Sequence, residues 1–418
     1  MKNLAAQAVR AFAHLGGRRP ARVAAASLAA VAGLLLAACG SSSTPIPSGS
    51  SSSSSSSKPY VIGEIDDLTA GLTFLDVPWH QGIVAAVDGV NARGGVDGYK
   101  IHLITLDSAG SATTAVTDFH ELVSVDHVVA VVGLGDSIVD AALLPLATAA
   151  HVPLVAVAPP SSEVFPANPY MYEYSPSTTA EADVQLAYLH SLAGTGSHGR
   201  VAVFGYDTPQ GQGFGAAVAA DAAKFGFSVA GDFLVSPTAT DYSTQAAQIA
   251  QSHATAIVSA VAGPSVATLM KDLKAVGVAP TTPITAFAGV AVPSAPWSSF
   301  AVVADYRTSG SEAGVATYRK DVTAAGYDPS SPTVVEGYAG GLLVSQALQR
   351  CGYPCSPSGL QKALDTTNTD LSGLAFGPVV WSVKFHAGPT VFSSLVYTPS
   401  GKPGSYSKPV TVYGTASY

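Results

Sequence analysis

The side chains best suited to chemistry in this sequence are ten histidines and three cysteines, and their spacing argues against a metal site. No two histidines are separated as in His-x-His or His-x-x-x-His, the spacings that bring two imidazoles to one ion. The histidines are His14, His80, His102, His120, His127, His151, His190, His198, His253 and His386. Cys39, Cys351 and Cys355 do not match the ligand spacing of a zinc site either. The sequence therefore predicts no bound metal.

Motifs for nucleophilic or phosphate chemistry are also missing from the sequence. It contains no Gly-x-Ser-x-Gly and no Gly-x-x-x-x-Gly-Lys. Residues 211–215 (GQGFG) follow a predicted strand but are one residue short of a dinucleotide-binding fingerprint. We therefore predict a protein that is not an enzyme and needs no cofactor. A secreted hydrolase is the least favoured alternative.

The charge of the chain excludes nucleic acid as a partner. Among 418 residues, 11% are charged and 47% are hydrophobic, which is enough for large buried cores. Five basic residues precede the first apolar run, and the rest of the chain has 15 basic and 28 acidic residues. A body with this net charge of −13 would repel nucleic acid, and no basic stripe offsets it.

The first 58 residues predict export and a lipid anchor. A basic segment precedes the apolar run 23–38, whose length is typical of a signal peptide. The run ends in LAACG at Cys39, which resembles the bacterial lipobox, so we expect lipid on the Cys39 thiol. The alternative is an uncleaved anchor. Residues 1–38 are thus predicted as signal peptide and the Ser-rich residues 39–58 as a flexible tether.

The elements that must position any site follow an alternating pattern from Tyr60 onward. Short β-branched runs alternate with Ala-rich stretches whose apolar residues recur at helical spacing. One such series runs from residue 61 to 157 and a second from residue 179 to 287. Two consecutive series predict an α/β fold with two doubly wound, Rossmann-like lobes. A ligand would then bind in the cleft outside the carboxyl ends of the strands.

Four segments of the folded part resemble one family. They are residues 90–100 (VNARGGVDGYK), Asp107, residues 241–244 (DYST) and the pair Gly377-Pro378. Their order and spacing are similar to those of the type I periplasmic binding proteins of the leucine/isoleucine/valine-binding family. The glycines and helix-capping residues in these segments are scaffold chemistry, so they identify the fold and are not expected to touch ligand.

The resemblance implies a Venus-flytrap body whose lobes are joined by a three-crossover hinge. Lobe 1 is predicted to comprise residues 59–177 and 304–369, and lobe 2 residues 178–303 and 370–418 with the C-terminal tail. The resemblance also implies the receptor of an ABC importer, with a small-molecule solute, a permease and an ATPase as partners. We expect an extracytoplasmic monomer, lipid-anchored to the outer face of the cell membrane. A ligand-sensing subunit that signals without transport is the alternative function.

Lobe 1 residues in the pocket follow from the same resemblance. Ser137 aligns with the serine that holds a ligand carboxylate, although Asp136 beside it would repel an anion. Ser162 aligns with a ligand-contacting threonine. Phe74 and Trp79 follow the first strand, where the family places an aromatic residue against ligand. Each side chain could instead cap a helix or pack in the core.

In lobe 2, Gln210 replaces an aromatic residue of the family, and Tyr206 lies in the same loop. The family's ammonium-binding acid is missing, because no Asp or Glu occurs between residues 280 and 304. Glu336 is the best substitute, or the ligand has no ammonium group. We therefore expect a small polar or carboxylate-bearing solute, such as an amino acid or amino-acid-like compound, an amide or an aromatic acid, with an amino acid possible only if Glu336 takes the ammonium group. Cys351 and Cys355, across a Gly-Pro turn, are expected to form a disulfide, with two free thiols as the alternative.

Overall fold

The computed structural model describes residues 58–157, 159, 161–193, 199–261, 263–287, 297–398 and 402–412. The strands are β1 Tyr60–Asp66, β2 Ile101–Asp107, β3 Val131–Gly133, β4 Leu154–Ala156, β5 Met171–Glu173, β6 Gly199–Tyr206, β7 Phe227–Val235, β8 Ala256–Ala260, β9 Ile284–Ala286, β10 Phe300–Ala304, β11 Asn368–Thr369, β12 Val379–Val380, β13 Val391–Tyr397, β14 Pro403–Tyr406 and β15 Val410–Thr411. The helices are α1 Thr73–Ala92, α2 Ala112–Ser124, α3 Ser137–Ala150, α4 Ser161–Val164, α5 Thr178–Ala193, α6 Pro209–Asp221, α7 Ser243–Gln251, α8 Gly263–Ala275, α9 Ala313–Ala324, α10 Pro332–Cys351 and α11 Pro357–Leu364.

The first sheet is parallel, with the strand order β2-β1-β3-β4-β5. Successive residues of its short strands are buried on opposite faces, because side chains alternate along a strand. Val132 and Val155 pack with α1 and α10, whereas Val131 and Leu154 pack with α2 and α3. Helices therefore cover both faces, which explains why these strands are continuous apolar runs.

The second sheet repeats this arrangement and extends it. Its parallel part has the order β7-β6-β8-β9-β10, and β13 then pairs antiparallel with β10, followed by β14. Val201 and Val203 pack against α5 and α6, while Ala202 and Phe204 face the side of α7 and α8. Both sheets thus have the doubly wound order in which the first and third strands are neighbours and their connections leave in opposite directions.

The chain passes between the two sheets three times. It leaves the first sheet after β5 and returns after β10, since α9 and α10 pack on α1 of the first lobe. It crosses again between β12 and β13, which joins the second sheet. The fold therefore has the two lobes that the alternating pattern predicted and the three crossovers that the family resemblance implied. The residue boundaries of the lobes stay a prediction.

Two glycines let α1 and α10 touch backbone to backbone. A Cβ atom on Gly82 would lie 2.1 Å from the carbonyl oxygen of Val334, and one on Gly337 would lie 2.0 Å from that of Trp79. Both distances are far inside van der Waals contact, so only glycine fits at these positions. This close approach fixes the position of Trp79 along α10.

Most predicted elements agree with the structure to within a few residues. The sequence did not predict β5, β10, β11, β13, β14, β15 or the short helix α4. Most of these elements have only two to five residues, too few for a periodic pattern. Cys351 and Cys355 are joined in a disulfide, as expected, with their Cα atoms 5.6 Å apart. No helix in the described part of the chain has the length and apolar character needed to cross a membrane.

Candidate functional site

A cavity of about 340 Å³ lies where the carboxyl ends of the strands of the two sheets face each other. Its wall is built by the carboxyl ends of β1, β2, β3, β6, β7, β8 and β9 and the segments that follow them, the places where doubly wound folds bind ligands. The lining residues are Asp67, Ala70, Gly71, Leu72, Phe74, Leu75, Trp79, Ala109, Gly110, Gly135, Asp136, Ser137 and Ile138 from the first lobe, and Tyr206, Thr208, Gln210, Pro237, Thr238, Ala260 and Phe287 from the second. Most of them are apolar.

Two carboxylates shape the loop that follows β1. Asp67 accepts hydrogen bonds of 2.7 Å from the backbone N–H groups of both Ala70 and Leu72. Asp107, at the end of β2, accepts from the N–H of Leu68 and from the hydroxyl of Thr69. These bonds satisfy backbone donors that would otherwise be free, so the loop enters α1 in one conformation. Phe74 in the first turn of that helix then lies on the cavity wall, 38% exposed.

The N-terminus of α3 reaches the cavity at Asp136 and Ser137. Asp136 is the N-cap, and its carboxylate accepts a 2.8 Å hydrogen bond from the N–H of Ile138. Ser137 is the first helical residue and lines the cavity half-buried. Burial raises the pKa of Asp136, although its bond to the Ile138 N–H opposes that shift. The capping role thus belongs to Asp136, and the hydroxyl of Ser137 lies at the wall.

A buried carboxyl group stands directly behind this wall. Asp76 is fully buried in α1 and accepts a 2.7 Å hydrogen bond from the N–H of Asp67 through Oδ2, while its Oδ1 has no partner. Burial is the main cause that raises the pKa of Asp76, to about 8. A Cβ atom on Gly135 would lie 2.5 Å from both Oδ1 of Asp76 and the ring of Trp79. Because Gly135 has no side chain, the loop between β3 and α3 can pack directly against α1 at the cavity wall.

Trp79 connects the cavity to the buried interior of the first lobe. One edge of its ring lines the cavity, and its Nε1 donates a 2.6 Å hydrogen bond to Oε2 of Glu336 on α10. Burial, followed by the nearby charge of Asp305, raises the pKa of Glu336 well above its usual range. Glu336 is not one of the described residues that line the cavity, whereas its hydrogen-bond partner Trp79 is.

The second lobe contributes neutral side chains to the wall. The phenol of Tyr206, at the end of β6, is 2.5 Å from the hydroxyl of Ser265 in the first turn of α8. Thr208 caps α6 by accepting from the N–H of Gly211, which places Gln210 in the first turn with its side chain at the cavity. Phe287 closes this side immediately after β9.

The structure brings together five of the seven pocket residues predicted from the sequence: Phe74, Trp79, Ser137, Tyr206 and Gln210. Ser162 is exposed on the short helix α4 and, like Glu336, is not among the described lining residues. The ligand roles of all seven residues stay predictions. Cys39 lies outside the described residues. Asp67, Ile138 and Phe287 were not proposed as contacts, although Asp67 follows a predicted strand, Ile138 begins a predicted helix and Phe287 ends a predicted strand. In the described part of the chain, no group of His, Cys, Asp or Glu is arranged to hold a metal.

Comparison with known proteins identifies the scaffold around this cavity. The sequence profile of the periplasmic binding proteins matches residues 59–393, which is most of the chain. The chain belongs to the periplasmic binding protein family. Its structure is that of the type I periplasmic binding proteins, the solute-binding proteins of ABC transporters. No curated protein matches the sequence.

Solved structures of this family superpose over nearly their whole length. A substrate-binding protein of an ABC transporter from Aeropyrum pernix has a TM-score of 0.72 at 17% identity, covering 86% of this chain and 97% of that one. A branched-chain amino acid ABC transporter protein from Thermus thermophilus with bound valine has a TM-score of 0.72 at 14% identity, covering 85% and 97%. A solute-binding protein from R. palustris in complex with 4-hydroxybenzoate has a TM-score of 0.67 at 18% identity, covering 85% and 96%.

These identities establish a common fold and not a common ligand. The periplasmic binding proteins just named hold an amino acid in one case and an aromatic acid in another. The identity of the solute therefore depends on the side chains of each cavity.

Proposed function

We propose that this chain is the extracytoplasmic receptor of an ABC importer and that it captures a small solute between its two lobes. The observation that carries the proposal is the cavity itself, which is formed by the carboxyl ends of strands from both sheets. Its wall combines an apolar majority with a few polar groups, the composition typical of small-molecule sites. Because both lobes supply wall residues, a bound solute would hold the lobes together.

The solute is proposed to have an apolar body and a small polar head. Phe74, Leu75 and Ile138 of the first lobe and Phe287 of the second offer apolar surface. Ser137 offers a hydroxyl, and Gln210 offers an amide. Amino-acid-like compounds, amides and aromatic acids, the classes expected from the sequence, all have such a body, and they differ in the charge of the head.

We further propose that the receptor acts as a monomer held to the membrane by lipid on Cys39. The Ser-rich residues 39–58 would give the body a flexible reach from the membrane surface to the permease and its ATPase. The lobes would be those whose boundaries the sequence predicts, with the three crossovers as the hinge.

A thermal-shift screen of the purified body over amino acids, amides, aromatic acids and amines tests the proposal. A solute that binds only the folded chain at 100 times its Kd stabilises it by about 2.7 kcal/mol, so at least one class should raise Tm clearly. The stabilising solute should then be required for the receptor to stimulate ATP hydrolysis by its permease and ATPase. Binding without such stimulation would favour a sensing subunit, and chemical conversion of the solute would indicate a hydrolase.

A further inference from the structure

The charged side chains on the described part of the cavity wall are all acidic. Among the lining residues that the structure describes, Asp67 and Asp136 carry carboxyl groups, and none is Lys, Arg or His. Residues 288–296, which follow Phe287 in the sequence, contain no basic residue either. An anionic ligand would therefore enter a confined space beside two carboxylates without a cation to balance it, which is electrostatically costly.

Three of the backbone N–H groups at the helix starts beside the cavity already donate to these same carboxylates. The N–H of Ile138, at the start of α3, donates to Asp136. The N–H groups of Ala70 and Leu72, before α1, donate to Asp67. A ligand carboxylate at either place would have to displace an intramolecular carboxylate from its hydrogen bond. A carboxylate can accept about four hydrogen bonds, so the half-buried Asp136 keeps lone pairs for a ligand, whereas Asp67, which is 1% exposed, acts on the cavity through its charge.

Aromatic rings from both lobes line the remaining wall. Phe74 and Trp79 belong to the first lobe, and Tyr206 and Phe287 to the second. The faces of such rings attract organic cations and also accept apolar groups. The wall therefore offers carboxylates for a positive head and rings for an apolar body.

We propose that the cavity binds a small protonated organic amine with an apolar body, whose ammonium group faces Asp136 and Asp67 of the first lobe. This inference rests on the proposed receptor function and specifies the class of its solute. Burial, and to a lesser degree the charge of Asp67, raises the pKa of Asp136, so a bound cation would relieve an unfavourable charge in the empty cavity. Solutes whose only charge is a carboxylate would be excluded.

Asp136 and Asp67 also accept hydrogen bonds from backbone N–H groups, so the variants are chosen to keep an acceptor at each position. Asn is as good an N-cap as Asp, so Asp136→Asn keeps the acceptor for the Ile138 N–H and removes only the charge. Asp67→Asn is less conservative, because Asp67 accepts from Ala70 and Leu72 through different oxygens and Asn keeps only one of these acceptors, so it serves as the second variant with its thermal unfolding measured alongside. The matched control is Asp241→Asn, because Asp241 accepts from the N–H of Ser243 in the same way but is exposed and does not line the cavity.

The test is calorimetric titration with three probes that share one phenylalkyl body: 2-phenylethylamine, 3-phenylpropanamide and 3-phenylpropanoate. We expect the amine to bind at least tenfold more tightly than the carboxylate. Asp136→Asn should weaken the amine by about ten- to hundredfold, the loss that follows from removing a charge-assisted bond, and leave the amide within about threefold. Asp67→Asn should also weaken the amine. Asp241→Asn should change nothing.

Tighter binding of the carboxylate, or an amine affinity that neither cavity variant alters, would overturn the inference and leave the receptor function standing. If neither these probes nor any compound of the wider screen binds, the receptor function fails, and the inference fails with it.

Discussion

Nε1 of Trp79 and Oε2 of Glu336 are joined by a hydrogen bond of 2.6 Å between two buried side chains, one at the cavity wall and one behind it. The bond connects α1 to α10, which are already in backbone contact at Gly337. Glu336 therefore acts on the cavity through the position of Trp79. The sequence suggested instead that Glu336 could hold a ligand ammonium group, and the two roles make different predictions.

Glu336→Gln should leave solute affinity within about threefold of the wild type, because Gln keeps an acceptor for the Trp79 N–H and Glu336 does not line the cavity. Glu336→Leu removes the acceptor and leaves a buried donor unsatisfied. It should be less stable than Glu336→Gln by about 1–3 kcal/mol in denaturant unfolding. A ten- to hundredfold loss of amine affinity in Glu336→Gln alone would restore Glu336 as the ammonium site.

Gly135→Ala should destabilise the folded body by about 1–3 kcal/mol. The added methyl group would meet Oδ1 of Asp76 and the Trp79 ring at 2.5 Å, and neither can move without disturbing α1. Gly71→Ala is the matched control, since Gly71 also lines the cavity but a Cβ there would have no atom within 4 Å. Equal stability of the two variants in urea would contradict this prediction, because it would show that Asp76 and Trp79 leave room for a methyl group at position 135.

The folded body should lose stability as pH rises from about 4 to 8. Burial raises the pKa of Asp76 to about 8 and that of Asp305 to about 7, whereas an aspartate in the unfolded chain has a pKa near 3.9. Between those values the folded state holds protons that the unfolded state has released, so unfolding releases protons and higher pH favours it. We expect Tm to fall across this range.

Asp76→Asn should make the dependence of Tm on pH shallower. Asp88→Asn, at an exposed position of the same helix, should leave the slope unchanged. A Tm that rises steadily from pH 5 to pH 8 would contradict the proposed protonation of the buried carboxyl groups.

Cys39→Ala should release the protein from membranes into the medium, because lipid is proposed as its only strong attachment. Cell fractionation followed by immunoblotting would measure the release. A variant that stays membrane-bound would show that the apolar run 23–38 is retained as an anchor.

The fold could be predicted because the strand pattern, the helical spacing and the family motifs all indicated the same architecture. Continuous apolar strands and helical spacing indicated doubly wound lobes, and Phe74, Trp79, Ser137, Tyr206 and Gln210 followed from the resemblance to the binding-protein family in the loops after the predicted strands. Glu336 could not be placed in this way. Its position depends on the rotation of α10 against α1, which the contact at Gly337 determines and which no local pattern reveals.

Only one of the two acidic residues on the cavity wall was recognised from the sequence. Asp136 was recognised as a departure from an anion site. Asp67 was overlooked because it directly follows Asp66 at the end of β1. Only the structure shows which of the two side chains lies at the cavity. Leu134 donates its N–H to Asp66 at 2.9 Å inside the lobe, whereas Asp67 lies on the cavity wall.

The most direct test of the account is calorimetric titration of the best solute from the screen into the wild type, Ala260→Phe and Ala275→Phe. Ala260 ends β8 at the cavity, so a phenyl ring there would fill the space between the lobes, while Ala275 is exposed at the end of α8. We predict binding by the wild type and Ala275→Phe, and at least a hundredfold loss in Ala260→Phe. Unchanged binding by a folded Ala260→Phe would contradict the central claim that the solute is held between the lobes.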